Sequence, residues 1–209
     1  MPFSRDTFLD VFAAYNSEWW PVALVLWFAT LGAFVTSVTG RKINEWTFGL
    51  LAFQWAWSAV AYHAGLFSRI NPAAWLFAVA FLIEAGLLLW YGVVQSSLRL
   101  SAVHSKSQIF GHALVAYGLL YPFIARLGGD SYPRVPTFGV PCPTTLVTIG
   151  FLMLISGRIP LSVIVVPLVW AGIGGSAAFL LGVPADFVLV GGGLVLATHA
   201  WRFGSLTVA

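Results

Sequence analysis

Charge is what this chain lacks. Only 8% of its 209 residues are Asp, Glu, Lys or Arg, ten basic and seven acidic, where an ordinary soluble domain carries about a quarter. So few charges cannot cover a water-facing surface of normal size, which excludes a soluble enzyme, a nucleic-acid-binding module and a disordered regulator. Cysteine is nearly absent: Cys142 stands alone, so no disulfide scaffold can form within the chain. The short alternating segments of an outer-membrane barrel are missing too, and long continuous apolar runs take their place. What is abundant is apolar: 59% of residues are hydrophobic and 16% aromatic, with mean hydropathy +0.90. The expectation is an all-α integral membrane protein, one polytopic domain over residues 1–209.

A span needs roughly 20 apolar residues to cross about 30 Å of hydrocarbon. Seven segments meet or approach this, at about 21–39, 47–67, 72–96, 108–126, 143–157, 160–181 and 184–202. Their ends carry independent signals. Pro21, Pro72, Pro143, Pro160 and Pro184 stand at segment starts, where a missing N–H leaves no helical bond unmade. Asn71 precedes Pro72 as an N-cap, Asn44 precedes segment 2, and Ser105-x-x-Gln108 has capping-box spacing ahead of segment 4. Segment 5 is short and follows a Gly/Pro-rich stretch, so it either spans or is re-entrant. Pro167 should kink segment 6, and the glycines of segments 6 and 7 suit close helix packing.

Orientation follows from the loop cations. One side holds Arg41, Lys42, Arg99, Lys106, Arg158 and Arg202; the other holds Arg5, Arg69, Arg126 and Arg134. Six against four places the N-terminus outside and the C-terminus in the cytoplasm. The stretch before segment 1 is acidic (Asp6, Asp10, Glu18) and has no small-residue cleavage site, so it does not read as a signal peptide. Residues 1–20 read instead as an N-terminal helix with Phe8, Val11, Phe12 and Tyr15 on one face. It would lie in the membrane interface or cap the bundle. Trp19, Trp20, Trp46, Trp75 and Trp201 suit the headgroup level.

Polar residues inside spans are the functional candidates. Glu84 lies twelve residues after Pro72, near the middle of segment 3. It is either a proton or cation site, or a neutral carboxyl hydrogen-bonded to a neighbouring helix, with Gln54 and Ser58 as expected partners. Gln54, Ser58 and Tyr62 form an i, i+4, i+8 stripe with His63 beside it, which lines a wet cavity or joins helix to helix. His63 lies roughly 20 Å in depth from His112 and His199 at 1.5 Å per residue, so one metal cannot bind all three. His112 and His199 share a depth and are the only heme-ligand candidates; single hydrogen-bonded histidines are the plainer reading.

The loop 127–143 opens the most unusual stretch. From Leu127 to Thr145 it holds four prolines and three glycines. Asn71, Tyr121, Asp130, Tyr132, Arg134, Cys142, Thr144, Thr145 and Asp186 should gather near His63 at this outer face. Cys142, between two prolines at a helix start, is either a reactive thiol or a buried structural one.

Two stretches resemble a family of uncharacterised bacterial multi-pass membrane proteins of about this length. They are Tyr62-His63 followed by Ile70-Asn71-Pro72-Ala73-Ala74, and Tyr132-Pro133 followed by Pro136-Thr137-Phe138-Gly139-Val140-Pro141-Cys142-Pro143-Thr144-Thr145. The resemblance implies a bacterial cytoplasmic-membrane protein and assigns no activity. Segment 7 has no lysine to carry retinal, so seven-helix rhodopsins do not match.

The expected function is an outward-facing polar cavity that binds or conducts a small solute or ion. Its candidate residues are Glu84, His63, Tyr62, Asn71, Tyr121, Cys142, Gln54 and Ser58. The alternative is an accessory subunit of a larger membrane complex; a heme or metal enzyme comes last. No catalytic set, cofactor or nucleic-acid partner is expected. The expected partners are the lipid bilayer and either other membrane subunits or a second copy of the chain.

Overall fold

In a computed structural model, which describes residues 3–41, 43–101 and 105–203 (for Arg202 and Phe203 the backbone only), the chain folds into seven α-helices. Lys42 and the Arg202 side chain, both counted in the loop-charge balance, lie outside the described residues. The helices are α1 (Arg5–Val38), α2 (Asn44–Trp57), α3 (Ala74–Leu89), α4 (Lys106–Leu127), α5 (Pro141–Leu152), α6 (Leu161–Leu181) and α7 (Phe187–Phe203). α2 and α3 run on as π-helical turns, Ser58–Ala64 and Trp90–Val94. Among the described residues the only β-pairing is one bridge between Leu100 and Ile155.

Four helices are long and apolar enough to cross a membrane: α1, α3 with its π-helical extension, α4 and α6. Their outer faces stay apolar. Val25 and Phe28 on α1, Leu76 and Ile83 on α3, Phe123 on α4 and Phe179 on α6 are all exposed. Such surface is untenable in water and natural against lipid. Trp20, Trp46, Trp75 and Trp201 are exposed near helix ends; Trp19 is half-buried, edge-on to Trp57 at 5.1 Å.

Successive helices run in opposite directions. Gly92 of the α3 extension meets Phe48, near the start of α2, while Phe81 packs on Trp55 at 4.2 Å. α4 and α5 are antiparallel as well, with Gly118 against Val147 and Gly111 against Gly150. A Cβ on Gly111 would stand 2.7 Å from the Gly150 carbonyl, and one on Gly150 2.8 Å from the Gly111 carbonyl. Only glycine at both positions lets the backbones touch, the close approach that van der Waals packing between membrane helices favours.

Helix starts follow the sequence signals with one exception. Ser105 and Gln108 form a full capping box, and the Asn71 side chain accepts from the Ala73 N–H. Pro160 caps α6, which continues through Pro167. Asn44, however, does not cap α2: Ile43 holds the cap position without a side-chain bond. The Asn44 side chain instead accepts from the Leu100 N–H at 3.0 Å, tying α2 to the loop after α3. The long-range bond satisfies a loop donor that a local cap would leave unpaired.

α5 is not re-entrant. Its first turn lies beside the Gly118 half of α4, while Met153, just past its end, accepts from Ser107 in the first turn of α4. The two ends therefore lie at opposite ends of the bundle. Every residue from Pro141 to Leu152 is buried, so α5 is a central post wrapped by α2, α4, α6 and α7. Twelve residues suffice because the loop before it, not the helix, fills the remaining depth.

α1 is too long for one crossing, and it breaks. Trp19 leaves helical angles (φ −120°, ψ 15°) two residues before Pro21, so the second half starts at the proline as a new helix would. The first half, capped by Ser4, buries Phe8, Val11, Phe12 and Tyr15. It caps the bundle instead of lying in the interface, because its apolar face finds aromatic partners in Tyr62 and Phe67.

Candidate functional site

The capped end of the bundle is built by the first half of α1 and the proline-rich loop. Asn16 organises their contact. It is buried, donates to the carbonyls of Pro133 (2.6 Å) and Val135 (2.7 Å), and accepts from the Thr137 hydroxyl. Tyr15 donates to the Phe138 carbonyl at 2.9 Å and accepts from the Trp57 indole at 2.8 Å. Gly139 at φ +85° follows, and a Cβ there would stand 2.3 Å from the Tyr15 hydroxyl; a side chain would break both the turn and the contact. Around the rim Arg5 pairs with Asp130 at 2.6 Å, and Arg134 with Asp6 and Asp10 at 3.1 Å each.

Beneath this cap is a cavity of about 190 Å³. Its walls are aromatic: Phe8, Phe12, Tyr62, Phe67, Phe77 and Trp170. Tyr62 stacks between Phe12 and Phe67, 5.7 Å from each, and Phe77 meets Trp170 edge-on at 5.3 Å. Asn71, Cys142 and Asp186 supply the polar surface. The Asp186 carboxylate, 3% exposed, accepts from the Tyr121 hydroxyl. Tyr121 and the Cys142 thiol both act electrostatically on that carboxylate. No Lys or Arg forms an ion pair with it among the described residues.

The expected site residues therefore divide into three groups. Tyr62, Asn71 and Cys142 line the cavity, and Tyr121 stands behind it through Asp186. His63 is fully buried one layer back, its ring 5.0 Å from Trp170 and 4.6 Å from Phe81. Gln54, Ser58 and Glu84 are buried deeper. Their outcome differs from expectation, for the Gln54 amide donates to Thr30 of α1 at 2.6 Å. Glu84, Ser58 and both His63 nitrogens have no hydrogen-bond partner among the described residues. The stripe on α2 also fails to share one face. Gln54 reaches α1, while Tyr62, beyond the start of the π-helical turns, reaches Phe12 and Phe67. A π-helical turn holds more residues than an α-turn, so it rotates everything after it.

His112 and His199 share one end of the bundle but not one space. His112 Nδ1 donates to the Gln108 carbonyl at 2.9 Å, with its ring edge-on to Phe34 of α1. His199 bonds Ser107 at 3.2 Å. Ser107 and His112 are five residues apart, about 140° around the helix, so the two imidazoles meet different neighbours and the heme pairing is not formed. No group of three His, Cys, Asp or Glu side chains converges among the described residues.

Two wall residues escaped the sequence reading as site members. Asp186 sits next to Pro184 and reads as a helix-start carboxylate. Trp170 reads as packing, although its mid-helix position, away from any span end, was a signal that it is not a belt residue.

The structure thus defines a helical bundle with the marks of a membrane protein and a small aromatic cavity, closed by its own N-terminal helix. The chain belongs to DUF6064, a family of unknown function, whose model matches residues 5–203. No curated protein and no solved structure matches it.

Proposed function

We propose that this is a seven-span protein of the bacterial inner membrane, N-terminus outside, whose capped cavity opens outward and binds a small solute. Alternating helix directions and the six-to-four cation balance support the topology. The observation that carries the function is the cavity itself. About 190 Å³ is enclosed beneath a tied-down cap, with hydroxyl, amide, thiol and carboxylate groups on aromatic walls. Drug-sized ligands need roughly 300 Å³ or more, so the solute is small.

Cys142 is the sole cysteine and lines this cavity, which makes it a reporter. Methyl methanethiosulfonate, a small neutral reagent, is expected to modify Cys142 in the folded protein, read by mass spectrometry. A thiol that stays unmodified until the protein unfolds would defeat the reading. The accessory-subunit alternative has one support, an apolar groove of about 410 Å³ on the bundle flank lined by Trp20, Leu24, Trp27, Phe28 and Phe123. Purification at native expression decides whether a second protein accompanies the chain.

A further inference from the structure

We propose that the capped cavity binds an organic cation, an alkylammonium or quaternary ammonium group held against aromatic faces with Asp186 as its counter-charge. The proposal deepens the solute-site reading and rests on it. Asp186 is nearly fully buried on the cavity wall, is held by a neutral Tyr121 hydroxyl, and has no described basic partner. A buried carboxylate with no positive charge nearby is expensive, and a cation in the cavity would relieve that cost. The remaining walls suit the same ligand. Phe12, Tyr62 and Phe67 form one stacked bank, and Phe77 with Trp170 forms another set edge-on. Ring faces attract a desolvated cation, and aromatic cages with a carboxylate are a chemical solution to binding quaternary ammonium. An anion is disfavoured, because no Lys, Arg or His is among the residues lining the cavity. A hydrated metal ion is a poor fit, since Asp186 is the single carboxylate there and the walls are mostly hydrocarbon.

The test measures protection of Cys142. The rate of its modification by methyl methanethiosulfonate is followed in nanodiscs of phosphatidylglycerol while tetramethylammonium chloride is titrated in at constant ionic strength. Tetramethylammonium should slow modification saturably, and sodium chloride should not. The neutral isostere 3,3-dimethyl-1-butanol should protect only at about tenfold or greater concentration. Asp186→Asn should still be modified by the neutral reagent yet need about tenfold or more tetramethylammonium for protection, and Phe67→Leu should weaken protection severalfold. Equal protection by the isostere, or undiminished protection in Asp186→Asn, overturns the cation assignment and leaves the solute cavity standing. If wild-type Cys142 is never modified in the folded protein, the cavity reading fails and the cation site with it. Should Asp186→Asn not fold, the wild-type contrast between cation and isostere decides alone. Nanodiscs containing phosphatidylcholine separate two sources of the same chemistry. Protection there without added salt assigns a lipid headgroup, and protection by added salt alone assigns a free cation.

Discussion

Replacing Asn16 with alanine should open the cap. Its amide donates to two loop carbonyls and its carbonyl accepts from Thr137, in a side chain that is 1% exposed. Each such bond contributes about 0.5–1.5 kcal/mol net, and a buried partner left unpaired costs about 1–3 kcal/mol. Rim water can re-satisfy some of these groups, so the sum for Asn16→Ala is about 2–4 kcal/mol. That energy falls on one contact, between the first half of α1 and residues 133–138, while the helix crossings below are untouched. If Cys142 is reached when this contact opens, its modification should accelerate by roughly 30- to 1,000-fold, at about 1.4 kcal/mol per tenfold. Asn16→Asp keeps the shape but aims acceptors at two carbonyls, so it should do at least as much damage at neutral pH. The assay is thiol modification of the sole cysteine beside thermal unfolding in the same detergent. An Asn16→Ala protein labelled within about twofold of wild type would show that Asn16 does not hold the cap and would refute the argument.

Arg134→Gln should cost at most about 1 kcal/mol and accelerate labelling far less than Asn16→Ala, because its pairs with Asp6 and Asp10 are solvent-exposed; thermal melts at low and high salt measure it. Gly150→Leu should lower the melting temperature markedly or prevent folding, since even a Cβ meets the Gly111 carbonyl at 2.8 Å. Glu84→Leu should leave the melting temperature unchanged or raise it, because no described group bonds that carboxyl and Gln54 is held by Thr30; a clear fall would reveal a hydrogen-bonded carboxyl. A reporter active only outside the cytoplasm should be silent when fused after Ala209, and strong activity would reverse the orientation.

Composition and spacing were enough for the class and for most helix boundaries. Ser105-x-x-Gln108 and Pro21 act within one turn of themselves, so their meaning is local and survives folding. The apolar face of residues 8–15 was also legible, because helical periodicity fixes which side chains share a side. What covers that face was not. Asn44 shows the limit: its side chain can cap its own helix or reach Leu100, and only the packed loop decides. The predicted Glu84–Gln54 bond failed for the same reason, since adjacent helices share depth without facing each other residue by residue.

The sequence by itself determined a charge-poor chain of apolar helices with a rigid proline-rich loop and one cysteine, because those features depend on composition and on neighbours a few residues apart. Only the tertiary structure decided that Cys142, Asn71 and Tyr62 share a cavity with Asp186 and Trp170, and that α5 is buried on every side. Those outcomes depend on rotation about each helix axis. A π-helical stretch after Trp57 and a break at Trp19 reset that rotation, and such breaks are settled by what packs against the helix, not by the residues along it.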